Sequence, residues 1–535
     1  MSSAFDAMLV NINIPHTSHL NQILHLTTVP RVIAVLASLF VVGYYFFHRS
    51  RRLNFPVVGS PKDVDFRKAI LEGVAKYPNT PFIVPGDPIF VVAPKSTINE
   101  IKNFDNDTAS FARHLQDVYQ AQITNVGEFE DGCLISVIKN DYSRQLVSVL
   151  SILQEEAAYG FETCLGPSTD WTEFKLYPKL TRIVTLISGR VFFGLPLSRT
   201  EEFIEASINF TVQATNVKDC FKRKPRWYRY LLSPFYKEVK CMIDFKERFM
   251  EIFGPIIDAN IAKEGNEKPN SKEGDDQGKL ISFFLDRMPP EKRGDLKYMT
   301  TLLLNLSFAS IFTTSITALH IIYDLATYRE YIPILVDEIK EVMAEEGCET
   351  TADGNMRLRK TSLPKLLKLD SFLKESQRIS PLSIVILERV VTSYLKLSTG
   401  HVIPKGTHLV FPSWEVYTGS SSLHVDGLTK PLNEFDGLRY LKLRQLPGNA
   451  NRHFFVSTSP DSLEFGYGVH ACPGRFIANN QIKVIIIELL MNWDFRFSGD
   501  VKMEGGAWRR PKNRFMKFEI RADQEASLEF RRKKD

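Results

Sequence analysis

Cysteine is scarce in this chain: six in 535 residues, at Cys133, Cys164, Cys220, Cys241, Cys348 and Cys472. None stands in a C-x-x-C pair. Their scatter fits neither a disulfide framework nor a zinc knuckle. Reduced thiols in a cytosol-facing domain follow, so any sulfur chemistry must come from one residue in a special setting. Charge of one sign is also missing. Lys and Arg total 67 against 62 Asp and Glu, a net +5. No long basic run marks a nucleic-acid groove. The basic end, Phe530 to Asp535, reads as a solvated tail. Internal repeats and low-complexity blocks are absent. So is a G-x-G-x-x-G turn followed by an acid, which excludes a dinucleotide site of that type.

What is present is a long, ordinary globular composition, 44% hydrophobic and 24% charged, sufficient for a large core. Val32 to Phe47 carries no charge. At 1.5 Å per residue it covers roughly 24 Å, short of a hydrocarbon core of ~30 Å. Leu24, Leu26 and Val29, or local thinning, make up the deficit. Tyr44 and Tyr45 suit an interfacial belt. Arg49, Arg51 and Arg52 follow, against Arg31 alone before, which puts the bulk of the chain on the cytoplasmic side. A cleaved signal peptide is the competing reading, but the stretch sits late and no small-residue cleavage pattern follows. The expected organisation is a lumenal segment over 1–31, a transmembrane anchor over 32–48, a basic, proline-containing hinge over 49–61 and a catalytic domain over 62–535.

Within that domain, strand-like segments lie at Phe82-Ile83-Val84 and Ile89 to Val92. Glu155 to Lys374 reads as mostly helical, with a polar loop over Glu264–Gly278. Met299 to Tyr328 contains neither Gly nor Pro and is apolar all round. This predicts a buried helix about 45 Å long. A second transmembrane helix is disfavoured by Asn305, Asp324 and the Ser and Thr residues at its centre. Leu395–Ser398 and His408–Phe411 flank a Gly/Pro turn and read as a small β element. Helix returns after Gly474 and runs to about Trp493. The predicted fold is mainly α with a minor β region.

One decapeptide carries the chemistry: Phe465-Gly466-Tyr467-Gly468-Val469-His470-Ala471-Cys472-Pro473-Gly474. It is a Gly-rich turn that delivers a single thiol to the head of an apolar helix. Gly466 and Gly468 are expected to let the backbone approach something flat and bulky. Pro473 suits a first helical position. Unpaired N–H groups and the helix dipole there favour a thiolate. One thiolate without a second ligand at metal spacing cannot complete a zinc site, but it can be the axial ligand of a haem. Upstream, Glu375 and Arg378 are three apart and share a helix face. With Arg439 they can form a carboxylate between two guanidiniums, a lock able to hold the thiolate loop.

These residues resemble the cytochrome P450 family. The decapeptide matches its F-x-x-G-x-[RH]-x-C-x-G signature at every fixed position. Glu375 and Arg378 match its E-x-x-R pair, and Arg439 within Pro431–Tyr440 matches its second arginine element. Ala309-Ser310-Ile311-Phe312-Thr313-Thr314 is similar to its oxygen-activation motif. The resemblance covers nearly the whole chain and implies a P450-like fold behind a single N-terminal transmembrane helix. It implies haem b with Cys472 as axial ligand and metal-binding residue, in a cradle that includes Phe465, Gly466 and Gly474. His470 and Arg389, then Lys139, become the partners of the haem propionates. Thr313 would sit beside bound dioxygen; its competing role is to cap a carbonyl one turn back. The chain departs from the family at Phe312, where relatives often carry Asp or Glu, and at Ser310, where Gly is common. Protons would then come through water or Thr314.

The family resemblance further implies a monomeric enzyme in the endoplasmic reticulum membrane. Its electrons would come from NADPH through a membrane-bound P450 reductase, with cytochrome b5 as an optional second donor. The wording of Leu369–Arg378, Glu434–Tyr440 and Cys472–Phe476 is similar to fungal secondary-metabolite oxygenases of gibberellin and indole-diterpene type. The implied substrate is therefore a lipophilic terpenoid, hydroxylated once or oxidised repeatedly. Two alternatives stay open: an isomerase or dehydratase independent of O2, invited by Phe312, and a catalytically silent haem-binding protein.

Overall fold

The computed structural model describes residues 53–129, 131–143, 149–222, 224, 229, 231–264, 279–350, 356–499 and 509–534, with residue 38 alone before them. Apart from residue 38, the anchor expected over 32–48 lies outside the described residues, as does most of the polar loop over 264–278.

The elements that frame the site follow in chain order. The strands are β1 (Phe82–Val84), β2 (Phe90–Val92), β3 (Ala109–Ser110), β4 (Thr172–Lys175), β5 (Ile386–Val391), β6 (Leu395–Lys396), β7 (Val402–Ile403), β8 (His408–Phe411), β9 (Trp493–Phe497), β10 (Arg514–Met516), β11 (Glu519–Arg521) and β12 (Ser527–Arg532). The helices are α1 (Phe111–Tyr119), α2 (Leu150–Leu165), α3 (Leu176–Phe193), α4 (Glu201–Cys220), α5 (Lys237–Glu264), α6 (Leu296–Thr327), α7 (Leu367–Ile379) and α8 (Arg475–Asn492). Mainly helical architecture with small sheets is what the hydrophobic periodicity predicts.

Helix α6 is the pillar. Its start is capped by Asp295, whose carboxylate accepts from the Tyr298 N–H at 3.0 Å, satisfying one of the first turn's orphan donors. It is long and apolar enough to cross a membrane, yet 72% of its most apolar window is buried inside the body. It therefore serves as a core helix. Its first half, Met299 to Leu306, packs with Leu186, Phe210, Phe249 and Phe253. Its second half, Ala318 to Ala326, packs with Leu153, Leu180, Leu369 and Ile485. Each such fully buried side chain contributes roughly 1.5–3 kcal/mol. Between the two cores the helix is not covered: Ala309 is exposed, and Phe308, Ser310, Phe312 and Thr313 are only partly buried.

The largest sheet has the order β1-β2-β8-β5-β3. Leu395–Ser398 and His408–Phe411, read as one small β element, contribute strands to two different sheets. β6 pairs with β7, which the sequence reading passed over, whereas β8 runs parallel to β2 and antiparallel to β5. The described part of the expected hinge is also docked. Val58 is buried and its N–H donates to the Ile83 carbonyl at 2.8 Å. The solvated-tail reading fails too. β12 is the middle strand of the sheet β9-β12-β4, with Leu528 and Phe530 fully buried. Alternation of those two with Glu529 and Arg531 is the half-buried strand pattern.

Candidate haem-thiolate site

Helix α8 starts at Arg475 with Gly474 as its N-cap, so Pro473 precedes the cap and does not occupy the first helical position. The loop before it is a series of tight turns. The Gly466 N–H donates to the Leu463 carbonyl at 2.8 Å, Ala471 to Gly468 at 3.1 Å and Cys472 to Phe465 at 2.7 Å. Gly466 and Gly468 hold φ of +74° and +81°, backbone that glycine adopts without Cβ strain. Gly468 has a second reason. A Cβ there would lie 2.3 Å from the Lys102 carbonyl oxygen, so another stretch of chain approaches it closely on that side. Phe465 anchors the loop by an edge-on contact with Phe455 at 5.4 Å and by packing on the core. Beyond Gly474 lies open space.

Cys472 is partly accessible, unlike the buried Cys133 and Cys164. Burial pushes its thiol up; the N–H groups of Gly474 and Arg475, aimed at the sulfur, and the Arg475 guanidinium oppose this. The amides therefore favour the thiolate, as the sequence predicts, against an opposing cost of desolvation. A metal ion that binds the sulfur deprotonates it outright, and the two amides then stabilise the anion.

Glu375 on α7 is fully buried between two guanidiniums. Arg378 donates to both of its oxygens at 2.8 Å, and Arg439 Nε to both at 3.1 Å. The Asp436 N–H adds a further bond at 3.0 Å. The remaining guanidinium N–H groups grip carbonyls of Tyr417, Leu423, Lys430, Pro431, Leu432 and Glu434. The lock therefore clamps the 417–436 segment. The cysteine loop is tied instead through the neighbouring Lys374, whose ammonium bonds Ser462 and lies 3.9 Å from Glu464. Asp370, one turn earlier, reaches the same loop by accepting from the Phe455 N–H at 2.9 Å and holds Lys483 of α8 at 2.8 Å. Neither Lys374 nor Asp370 was singled out in the sequence, because a lysine or aspartate on an amphipathic helix carries no mark of burial.

Three basic side chains stand near the cysteine loop. Arg389, on β5, is 4% exposed. Burial lowers it to about 10. One of its nitrogens donates to the Glu388 carbonyl at 2.7 Å, whereas Nε has no partner. His470 Nε2 contacts the Phe104 carbonyl at 2.7 Å, and burial, then Arg389 and Lys139, hold its pKa below the ordinary value. Lys139 lies exposed on the Val137–Tyr142 turn. Arg389 is a buried cation with an orphaned N–H, and an anion beside it would relieve both the desolvation and the missing bond.

On α6 the Thr313 hydroxyl donates to the Ala309 carbonyl at 2.7 Å, the back-bond to the preceding turn. Its oxygen keeps acceptor capacity on the accessible face. Thr314 is turned off that face and only 3% exposed. Phe312 is partly accessible beside Thr313.

The haem implied by the signature fits these residues. The Cys472 sulfur, with two amides aimed at it, can bind the iron, and the unpaired Arg389 Nε, with His470 and Lys139 nearby, can pair with propionates. The uncovered middle of α6, a helix that packs against α8, offers room for a flat group. A model of the cytochrome P450 family matches residues 137–514. The cytochrome P450 monooxygenase ascG of Acremonium egyptiacum is 40% identical over 499 residues, covering 92% of this chain and 93% of its own. The monooxygenase BOA7 of Botryotinia fuckeliana is 35% identical over 503 residues, 91% and 90% of the two chains. Cytochrome P450 monooxygenase 3 of Gibberella fujikuroi is 32% identical over 494 residues, 90% of each. The chain belongs to the cytochrome P450 family, monooxygenases built on a haem iron with a cysteine thiolate.

Proposed function

We propose that the chain is a membrane-anchored monooxygenase that oxidises a lipophilic, terpenoid-type natural product in fungal secondary metabolism, with Cys472 as its iron ligand. The observation that carries this reading is the Cys472 sulfur, faced by the amides of Gly474 and Arg475 at the head of α8. The bound haem would supply activation of O2, with electrons from NADPH through a separate membrane-bound reductase and cytochrome b5 as a second donor. The protein's own residues do the rest. Cys472 holds the iron through sulfur. Arg389, His470 and Lys139 neutralise the carboxylates at the edge of the group. Glu375, Arg378 and Arg439 keep the 417–436 segment rigid, and Lys374 and Asp370 fix the loop that carries the sulfur. Thr313 Oγ1 can accept a hydrogen bond from a water molecule, or give up its bond to the Ala309 carbonyl and donate. Phe312 excludes water at the point where relatives often place an acid.

The N-terminal anchor over residues 32–48 would hold the body at the cytosolic face of the endoplasmic reticulum, where a greasy substrate concentrates. A monomer suffices, since every proposed site residue comes from one chain. The test is co-expression with a P450 reductase, feeding of a terpenoid panel and mass-spectrometric search for products heavier by one oxygen atom. Cys472→Ala is expected to abolish both the thiolate-type spectrum of the reduced, CO-treated protein and turnover. Product formation without NADPH would favour the isomerase or dehydratase reading. Undiminished oxygenation by Cys472→Ala would refute the assignment.

A further inference from the structure

Two buried histidines lie outside everything the haem chemistry uses. His114, in the middle of α1, and His408, the first residue of β8, meet through their Nδ1 atoms at 3.1 Å. Their side chains are 5% and 9% exposed. The far nitrogen of each ring faces a carboxylate. His114 Nε2 is 3.4 Å from Glu388 of β5, and His408 Nε2 is 3.5 Å from Asp117 of α1. Phe90 of β2 flanks the two rings at 6.1 and 5.8 Å, and Phe111 stacks on His114 at 6.4 Å. The Arg389 guanidinium lies 5.5 Å from the Phe111 ring. The other charges around α1 are Lys218 of α4 and Glu519 and Arg521 of β11, which act on Tyr119 at its end.

Proton counting fixes the state of this pair. A hydrogen bond between two ring nitrogens holds one proton, because one Nδ1 must donate and the other accept. Each Nε2, set before a carboxylate, is favoured as N–H, since a bare lone pair there would meet a negative charge. Three protons on four ring nitrogens make one imidazolium and one neutral imidazole. The pair thus carries a single positive charge between two carboxylates, and its central bond is charge-assisted. What this bond fastens is α1. At the start of that helix Phe111 meets Arg389, which the haem reading assigns to the propionates. At its end Tyr119 packs edge-on against Phe308 of α6 at 5.0 Å, beside the exposed Ala309. His114 lies between these two contacts.

We propose that the His114–His408 pair is a proton-operated latch that holds α1 between Arg389 and the uncovered stretch of α6. It is fastened by the one proton in the Nδ1–Nδ1 contact. Among side chains, imidazole is the one that ordinarily changes charge near neutral pH. A second proton, taken up as the pH falls, sets N–H against N–H and cation against cation. Loss of the shared proton as the pH rises sets lone pair against lone pair. α1 is therefore held most firmly within a pH window and loosens on both sides of it, exposing more of α6. The haem-thiolate reading bears only on what the loosened helix uncovers.

The test is hydrogen–deuterium exchange of the full-length holoenzyme in detergent, read by mass spectrometry on peptides covering residues 111–119 and corrected for the intrinsic pH dependence of amide exchange. The scan runs from about pH 5 to about pH 9, across the range in which imidazole titrates. The wild type should show a maximum of protection, with exchange about tenfold faster on either side of it, one charge-assisted hydrogen bond's worth. Glu388→Gln separates a shared proton from mere packing. Its amide can donate to a bare His114 Nε2, so a neutral pair keeps its Nδ1–H···Nδ1 bond. The alkaline arm should then vanish while the acid arm remains. A wild-type profile without a maximum, or an alkaline arm unchanged in Glu388→Gln, overturns the proposal. So does loss of the protection in EDTA, which would put a metal ion in place of the proton. Lack of a thiolate-type CO spectrum would sink the haem reading instead, and exchange over α1 would still report on the latch.

Discussion

Replacing Glu375 by Gln tests the buried lock. In the native protein one carboxylate serves two guanidiniums, and all three side chains are at most 1% exposed. Gln is nearly isosteric, so no cavity opens. It keeps one acceptor oxygen and turns an NH2 donor toward groups that are donors only. Arg378 and Arg439 would then face each other without a counter-charge, while their remaining N–H groups stay committed to backbone carbonyls of 417–434. Breaking a buried pair by removing one partner costs roughly 3–5 kcal/mol, against a total stability of roughly 5–15 kcal/mol. A loss of about 4 kcal/mol lowers the folding equilibrium roughly a thousandfold. Urea unfolding followed by far-UV circular dichroism, with haem content read in parallel, measures it. A large drop in midpoint is expected for Glu375→Gln, whereas Cys472→Ala should lose the pigment and keep most of its midpoint. A Glu375→Gln midpoint equal to wild type would refute the role given to the lock.

Three more outcomes are expected. Gly468→Ala forces a side chain onto φ +81° and against the Lys102 carbonyl. The left-handed backbone alone costs about 1–2 kcal/mol, and displacement of the loop should lower haem incorporation while helix content holds. Thr313→Ala should keep the ferrous–CO spectrum and reduce turnover on the order of a hundredfold; unchanged turnover would leave Thr313 as a helix residue only. Burial, with Lys374 nearby, lowers His453 from 6.5 to about 4. Between those values the unfolded chain binds the extra proton, so this contribution to stability is full above about pH 6.5 and is lost as the pH falls toward 4. His453→Asn, which tolerates the positive φ at this position, should flatten the stability profile over that range. An identical profile in the variant would rule the residue out.

The parts of the fold legible in the sequence were those written locally. Freedom from Gly and Pro across Met299–Tyr328 marked α6, and the decapeptide marked the sulfur and the start of α8. What stayed hidden depends on partners far apart in the chain. β2 and β8 pair although more than three hundred residues separate them, and neither short apolar run says which strand it will meet. Lys218 and Glu519 form an ion pair across a separation of 301 residues, with no spacing to betray it. The uncovered middle of α6 was invisible for another reason. Its residues are as apolar as their neighbours, and only packing shows that no core closes over them. The tail was misread by weighing its charge over its alternation.

The position of Ser527–Arg532 between Trp493–Phe497 and Thr172–Lys175 has a consequence for how the sheet holds together. One six-residue strand is the seam between segments that lie more than three hundred residues apart in sequence. Without it both flanking strands would present bare edges. A proline introduced at Glu529 would therefore unzip two pairings at once rather than fray a border.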